Sequence, residues 1–269
     1  MSKLVVKNVT LNYVNESKSW TRALENLNFS VDKGEFLSII GPSGCGKSTI
    51  LNLFTGLLSA SEGEILLDGK KISGTGLDRG VVFQHYSLFP WMSAKKNISF
   101  ALRQSFPAKS KKELAAVAEE YLAKMGLKGF EDKFPAELSG GMQQRVAIAK
   151  ALAMDTELIL MDEPFGAVDS KTRVVLQDQL LKMWDSGSER KTVVFITHDI
   201  DEAIFLSDRI IVMSSGPGRV KREIPVNFAR PRDRFSFTKE TEYAHLRNEI
   251  VNLFYDDLAD KIGGEEVVL

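Results

Sequence analysis

The chain has 269 residues, 43% of them hydrophobic, and a formal charge of −1 at pH 7. That length suits one large α/β domain or a domain with a small appendage, and the near-neutral charge supplies no basic excess of the kind that marks a nucleic-acid binder. Cys45 is the single cysteine, which excludes an intramolecular disulfide and fits a reducing compartment; no run approaches the ~18 apolar residues needed to span a bilayer, and the start of the chain does not read as a signal peptide, so a soluble or peripheral protein is expected, with any membrane role supplied by a partner.

In chain order, Leu4-Val5-Val6, Leu27–Val31 and Gly63–Lys70 alternate around turns such as Asp68-Gly69. They predict a small antiparallel sheet beside the main one. Glu35–Ile40, Gly80–Phe83, Leu158–Met161, Thr192–Ile196 and Arg209–Met213 are apolar nearly throughout, as expected for strands of a parallel sheet covered on both faces. A Gly-rich turn after the first of these leads to a predicted helix over Lys47–Leu58. Ser110–Met125 places Leu114, Val117, Ala118, Tyr121 and Leu122 near helical spacing, and Ser139 opens a second helix through Ala153. A helical insert is therefore expected over about 88–150, inside a domain of 1–215. The tail, 216–269, carries Pro217-Gly218, then Arg230-Pro231-Arg232-Asp233-Arg234, then a helical pattern over Lys239–Ile262. The Arg-rich turn reads as a solvated or tail-packing segment rather than a nucleic-acid patch, since aspartate and aromatics break it.

Gly41-Pro42-Ser43-Gly44-Cys45-Gly46-Lys47-Ser48, followed by Thr49, fits G-x-x-x-x-G-K-[ST] between a predicted strand and a predicted helix. Glycines let backbone fold around phosphate oxygens, and amide N–H groups at the helix start supply positive potential. Lys47 is expected to reach the β- and γ-phosphates and Ser48 to offer its hydroxyl to Mg²⁺. Leu158–Met161 runs into Asp162-Glu163. Carboxylates at a strand's C-terminal end project toward the crevice where α/β sheets bind ligand. Asp162 is expected to hold Mg²⁺ through water and Glu163 to act as general base. His198 follows the strand Thr192–Ile196 at the same kind of position, suited to the γ-phosphate or the attacking water. His85 and His245 have no such placement and read as structural. Leu138-Ser139-Gly140-Gly141-Met142-Gln143-Gln144-Arg145 offers a second capped helix start whose free N–H groups and glycines admit an anion.

The phosphate loop, Gln84, the Leu138–Gly141 signature, the Asp162-Glu163 pair and the late His198 together resemble the ATP-binding cassette family over residues 1–215. The resemblance implies a P-loop NTPase (RecA-like) α/β core with a parallel sheet, an N-terminal antiparallel β subdomain and an α-helical subdomain. It implies an ATPase in which two cassettes, identical or paralogous, close head to tail. Ser139, Gly140 and Gly141 of one chain would then contact nucleotide on the other's phosphate loop. By the same resemblance Gln84 touches Mg²⁺ and links nucleotide to a permease, and Asp169 lies in the loop crossing the dimer interface. Tyr13 matches the aromatic that stacks on adenine, though it also suits a plain strand residue. Met142 departs from the family's commonest glutamine, a change also found in a branch of importer ATPases.

Leu88-Phe89-Pro90-Trp91-Met92 admits two readings, core packing or a docking groove for a helix of a membrane partner; the resemblance favours the groove. The signature, Thr197–Ala203 and the Arg-Pro-Arg-Asp-Arg tail are most similar to importer ATPases for nitrate, sulfonate and taurine. That similarity implies ATP and Mg²⁺, transmembrane permease subunits, an extracytoplasmic solute-binding protein reached through them, no nucleic acid, and a peripheral position on the cytoplasmic face of the membrane. The alternative is a non-transport cassette acting on nucleic acid or in cluster assembly. The short insert and the single cassette argue against it.

Overall fold

The computed structural model describes residues 2–14, 19–166, 168–185, 190–214 and 216–263, the stretch 255–263 by its backbone only. Ala167, Ser215 at the expected domain boundary and tail residues 264–269 lie outside it. The chain forms two compact units, Met1–Gly74 with Phe195–Leu269, and Thr75–Val194.

β1 (Ser2–Val14) and β2 (Trp20–Asp32) pair antiparallel, with Leu4 opposite Val31 and Leu11 opposite Leu24. Those four side chains are buried, so the ribbon has one apolar face. Both strands are longer than the sequence pattern indicated, because register shifts break the alternation on which that pattern rests; Asn8 and Asn26, at φ +49° and +47°, lie among them. β3 (Phe36–Ile40) is buried at every position. It runs into the Gly-rich turn, from which α1 (Lys47–Thr55) starts. This helix ends before the predicted Leu58. Gly56 takes φ +77° as a left-handed cap, and a Cβ there would stand 2.0 Å from the Gly74 carbonyl oxygen. β4 (Glu62–Leu67) adds antiparallel to β1, and Asp68-Gly69 turns the chain into β5 (Lys70–Lys71), giving the order β2-β1-β4-β5.

In the second unit β6 (Arg79–Val82) leads into α2 (Ala94–Ser105), α3 (Lys111–Lys124) and α4 (Gly140–Ala153). β7 (Leu158–Asp162) then lies parallel to β6, with Met161 opposite Val82. α3 starts on a capping box. The Glu113 amide donates to Ser110 Oγ at 3.3 Å, and the Ser110 amide donates to the Glu113 carboxylate at 2.7 Å. Leu114, Ala118 and Leu122 form its buried stripe, the spacing that predicted it. α5 (Ser170–Asp185) follows.

β8 (Thr192–Ile196) carries the chain back to the first unit, where α6 (Ile200–Leu206) and β9 (Arg209–Ser214) follow. β9 pairs parallel to β3, and β10 (Arg219–Pro225) pairs antiparallel to β9. β3, β7 and β8 are buried throughout. Each large apolar side chain there contributes about 1.5–3 kcal/mol, which is why these runs read as continuous rather than alternating. The parallel strands, the antiparallel sheet and the helices give the expected α/β class. α7 (Arg234–Phe237) and α8 (Thr241–Gly263) complete the tail. The Arg-rich turn is not solvated as a whole: Arg232 is buried and Arg230 nearly so, and both face backbone carbonyls of the first unit.

Candidate functional site

In the first unit the phosphate loop is shaped by its glycines. Gly44 and Gly46 take φ +80° and +91°, a region L side chains rarely adopt. A Cβ on Gly41 would meet Cys45 Sγ at 2.7 Å and the Met213 carbonyl oxygen at 2.9 Å. α1 therefore begins at a glycine with no side-chain cap, leaving the positive end of the helix to a ligand. Lys47 is buried, and its Nζ donates to the carbonyls of Gly41 at 2.8 Å and Pro42 at 3.1 Å. The ammonium is thus held inside the loop that a phosphate would enter. Cys45 is buried beneath it, and burial pushes the thiol pKa up. Ser43 and Ser48 are exposed at the mouth, with Pro42 and Thr49 half-buried. Tyr13, 44% exposed at the end of β1, places its hydroxyl 3.3 Å from Thr49 Oγ1. Tyr13 is at once a paired residue of β1, opposite Thr21, and an exposed ring beside this loop.

His198 also belongs to this unit. It is exposed, two residues past the end of β8 and one residue before the cap of α6. Asp199 caps that helix by accepting from the Glu202 amide at 3.0 Å, and Thr197 Oγ1 donates to Glu202 Oε2 at 2.6 Å while accepting from the Asp199 amide. The backbone on both sides of His198 is therefore fixed by short side-chain bonds.

In the second unit β7 ends on buried Asp162, and half-buried Glu163 follows at φ +42°. A non-glycine residue in this region is strained, and such strain concentrates at functional positions. The Glu163 carbonyl accepts from the Gly166 amide at 3.1 Å, which closes the turn. Asp169 caps α5, accepting from the Thr172 amide at 3.0 Å, and Thr172 bonding holds its carboxyl pKa below the usual value. Ser139 caps α4 by accepting from the Met142 amide at 3.3 Å; its O–H stays available as a donor. Gly141 packs closely: a Cβ there would sit 3.2 Å from Val168 Cγ1 and 3.3 Å from Thr172 Cγ2, so those side chains would have to give by a few tenths of an ångström. Gly140 is half-buried in the same first turn. Gln84 is exposed just beyond β6.

The Leu88–Met92 stretch is not core. Trp91 is 68% exposed, and Phe89 stacks against Trp91 and Phe100 at 5.3 and 5.2 Å. The loop owes its shape to a residue the sequence did not single out. Buried Asn97 accepts from the Phe89 amide at 2.7 Å and donates to the carbonyls of Phe89, Met92 and Ser93. A polar residue on the apolar side of α2 was the available signal. His85 and His245 are exposed.

Residues 24–166 match the family described as ABC transporter. The chain is 47% identical over 257 residues to an uncharacterized ABC transporter ATP-binding protein of Methanocaldococcus jannaschii, covering 95% of this chain and 92% of that one. It is 47% identical over 234 residues to the nitrate import ATP-binding protein of Synechococcus elongatus, covering 87% and 85%. Identity to the bicarbonate transport ATP-binding protein of Synechocystis sp. is 43% over 257 residues, covering 95% and 90%. Among solved structures, a dimeric post-hydrolysis state of an ATP-binding cassette bound to ADP and Pi matches with a TM-score of 0.75 at 38% identity, covering 84% of this chain and 100% of that one.

Proposed function

This chain belongs to the ABC transporter family, and on that premise we propose that it is the ATP-hydrolysing subunit of an importer for a small solute. The observation that carries the reading is the phosphate loop, an uncapped helix start wrapped by left-handed glycines with a buried lysine inside it. Relatives whose names are nitrate import and bicarbonate transport support a small oxyanion or a similar solute such as a sulfonate or taurine.

Lys47 exchanges its two loop carbonyls for the β- and γ-phosphate oxygens, and the α1 amides receive the rest of the charge. Tyr13 stacks on adenine. Glu163 takes a proton from the attacking water, whose oxygen bonds to the γ-phosphorus as the bond to the β–γ bridging oxygen breaks. His198 contacts the γ-phosphate. The donors Ser48, Gln84 and Asp162 are all oxygen, which suits Mg²⁺. That ion, when bound, neutralises charge on the phosphates. Ser139, Gly140 and Gly141 meet the γ-phosphate across a dimer of two copies, or of this chain and a paralogous cassette, with Asp169 at the seam.

The exposed Phe89, Trp91 and Phe100 patch takes a helix of a permease, through which the extracytoplasmic binding protein is served. Among the described residues no helix is long and apolar enough to cross a membrane, in keeping with a peripheral subunit on the cytoplasmic face. Nucleic acid has no part in this reading. The test compares the full chain with Glu163→Gln, with and without permease in vesicles. Wild type turns over ATP and is stimulated by permease. Glu163→Gln binds ATP at wild-type affinity and loses on the order of 100-fold or more in turnover. Wild-type turnover in Glu163→Gln would remove the assignment of the base.

A further inference from the structure

α6 has seven residues, far fewer than a helix needs to persist alone in water. Its last carbonyls have no helical partners, and the tail supplies them. Arg230 Nη2 donates to the Leu206 carbonyl at 2.6 Å while its guanidinium pairs with Asp208 at 2.8 Å. Arg232 Nη1 donates to the carbonyls of Ile204, Phe205 and Ser207 at 2.9, 2.9 and 2.8 Å, and Nη2 to Val226 at 3.3 Å and Phe228 at 3.4 Å. The carbonyls at 204, 205, 206 and 207 are thus all held by two arginines that follow in sequence, placed at the negative end of the helix.

The other end is held as well. Asp201, in the first turn of α6, accepts from the Tyr243 hydroxyl at 2.6 Å and from Arg247 Nε at 2.8 Å, both on α8. Between the two grips Phe237 packs against Phe205, Phe228 and Tyr243 at 5.9, 4.7 and 5.0 Å. Every element in this arrangement lies in the first unit.

We propose that the C-terminal segment is a positioning clamp for His198, in which Arg230, Arg232, Tyr243 and Arg247 hold α6 so that the residue before its cap presents the imidazole to the reacting γ-phosphate. The clamp residues touch no nucleotide; they act through α6. The inference rests on the assignment of His198 to turnover, so the experiment separates the two. Arg232 is buried deeply enough that its loss endangers folding. The test therefore uses Tyr243→Phe with Arg247→Met, which deletes the two donors to Asp201 and leaves the buried ring at 243 and the Arg232 contacts in place.

Full-length wild type, the double variant, His198→Ala and the triple variant are compared for kcat, KM for ATP and thermal midpoint. The double variant loses about tenfold in kcat, the scale of a sub-ångström misplacement, at unchanged KM. Arg247→Lys in the Tyr243→Phe background restores most of it. His198→Ala loses about 100-fold, and adding the double variant to it costs nothing further, because the group being positioned is gone. Wild-type kcat in the double variant, or losses that multiply with His198→Ala, overturns the clamp and leaves His198 in place. Wild-type kcat in His198→Ala removes the premise and the clamp with it.

Discussion

Two helix starts in this chain face anions under the proposed function, and they are built in opposite ways. α1 begins at Gly46 with no side-chain cap, and Lys47 rests on the loop's own carbonyls. α4 begins at Ser139, whose oxygen already satisfies the Met142 amide. The first leaves its polar groups to a ligand and relies on glycine conformations and close packing to keep its shape. The second is a finished helix end with one hydroxyl proton left over. A primary binding loop can be incomplete without its ligand. A surface that meets nucleotide only during association has to be stable without it.

The largest test of that contrast is Lys47→Ala. It removes the buried ammonium and lowers turnover by on the order of 10²–10³, whereas Ser139→Ala leaves nucleotide titration of the isolated chain unchanged. Equal loss of binding in the two variants would erase the distinction.

Next come the glycines. Gly41→Ala forces a Cβ against the Met213 backbone oxygen at 2.9 Å and should lower unfolding stability by about 3 kcal/mol in urea titrations. Gly44→Ala meets nothing within 4 Å and carries only the left-handed backbone penalty at φ +80°, about 1 kcal/mol. Similar costs at both positions would mean that close packing does not shape the loop.

Ser139→Ala removes the α4 cap and should cost about 1 kcal/mol without nucleotide, read from thermal melts. No change would show that the cap is idle and the serine is kept only for its partner.

The smallest effect concerns Asp169, whose carboxyl is held below its usual pKa by Thr172 at the start of α5. A lowered folded pKa contributes stability above the unfolded value and loses it as pH falls through the folded one. The thermal midpoint of Asp169→Asn should therefore lie slightly below wild type at neutral pH, and the gap should close below about pH 4. A gap that persisted into acid would assign the difference to something other than the charge.

Much of this was legible before any coordinates. The runs Phe36–Ile40, Leu158–Met161 and Thr192–Ile196 are apolar nearly throughout, which suits strands covered on both faces. The helical spacing from Leu114 to Leu122 marked α3 to within one residue at each end. What stayed hidden depends on distant chain. The stop at Gly56 is enforced by the backbone of Gly74. The Arg-rich turn read as solvated or tail-packing, and the packing at Arg232 could not be assigned from sequence because the α6 carbonyls it meets lie 25 to 28 positions back. Local patterns report the neighbours a residue has in sequence, and these two features come from neighbours in space.

Asn97 gives the Leu88–Met92 loop a mechanical property. Its four hydrogen bonds tie the backbone at Phe89, Met92 and Ser93 to the first turn of α2. A loop of that length without such ties would act as a spring and absorb displacement. Tied this way, it acts as the short arm of a lever. Displacement of the loop backbone therefore meets the first turn of α2 directly, through bonds rather than through slack chain.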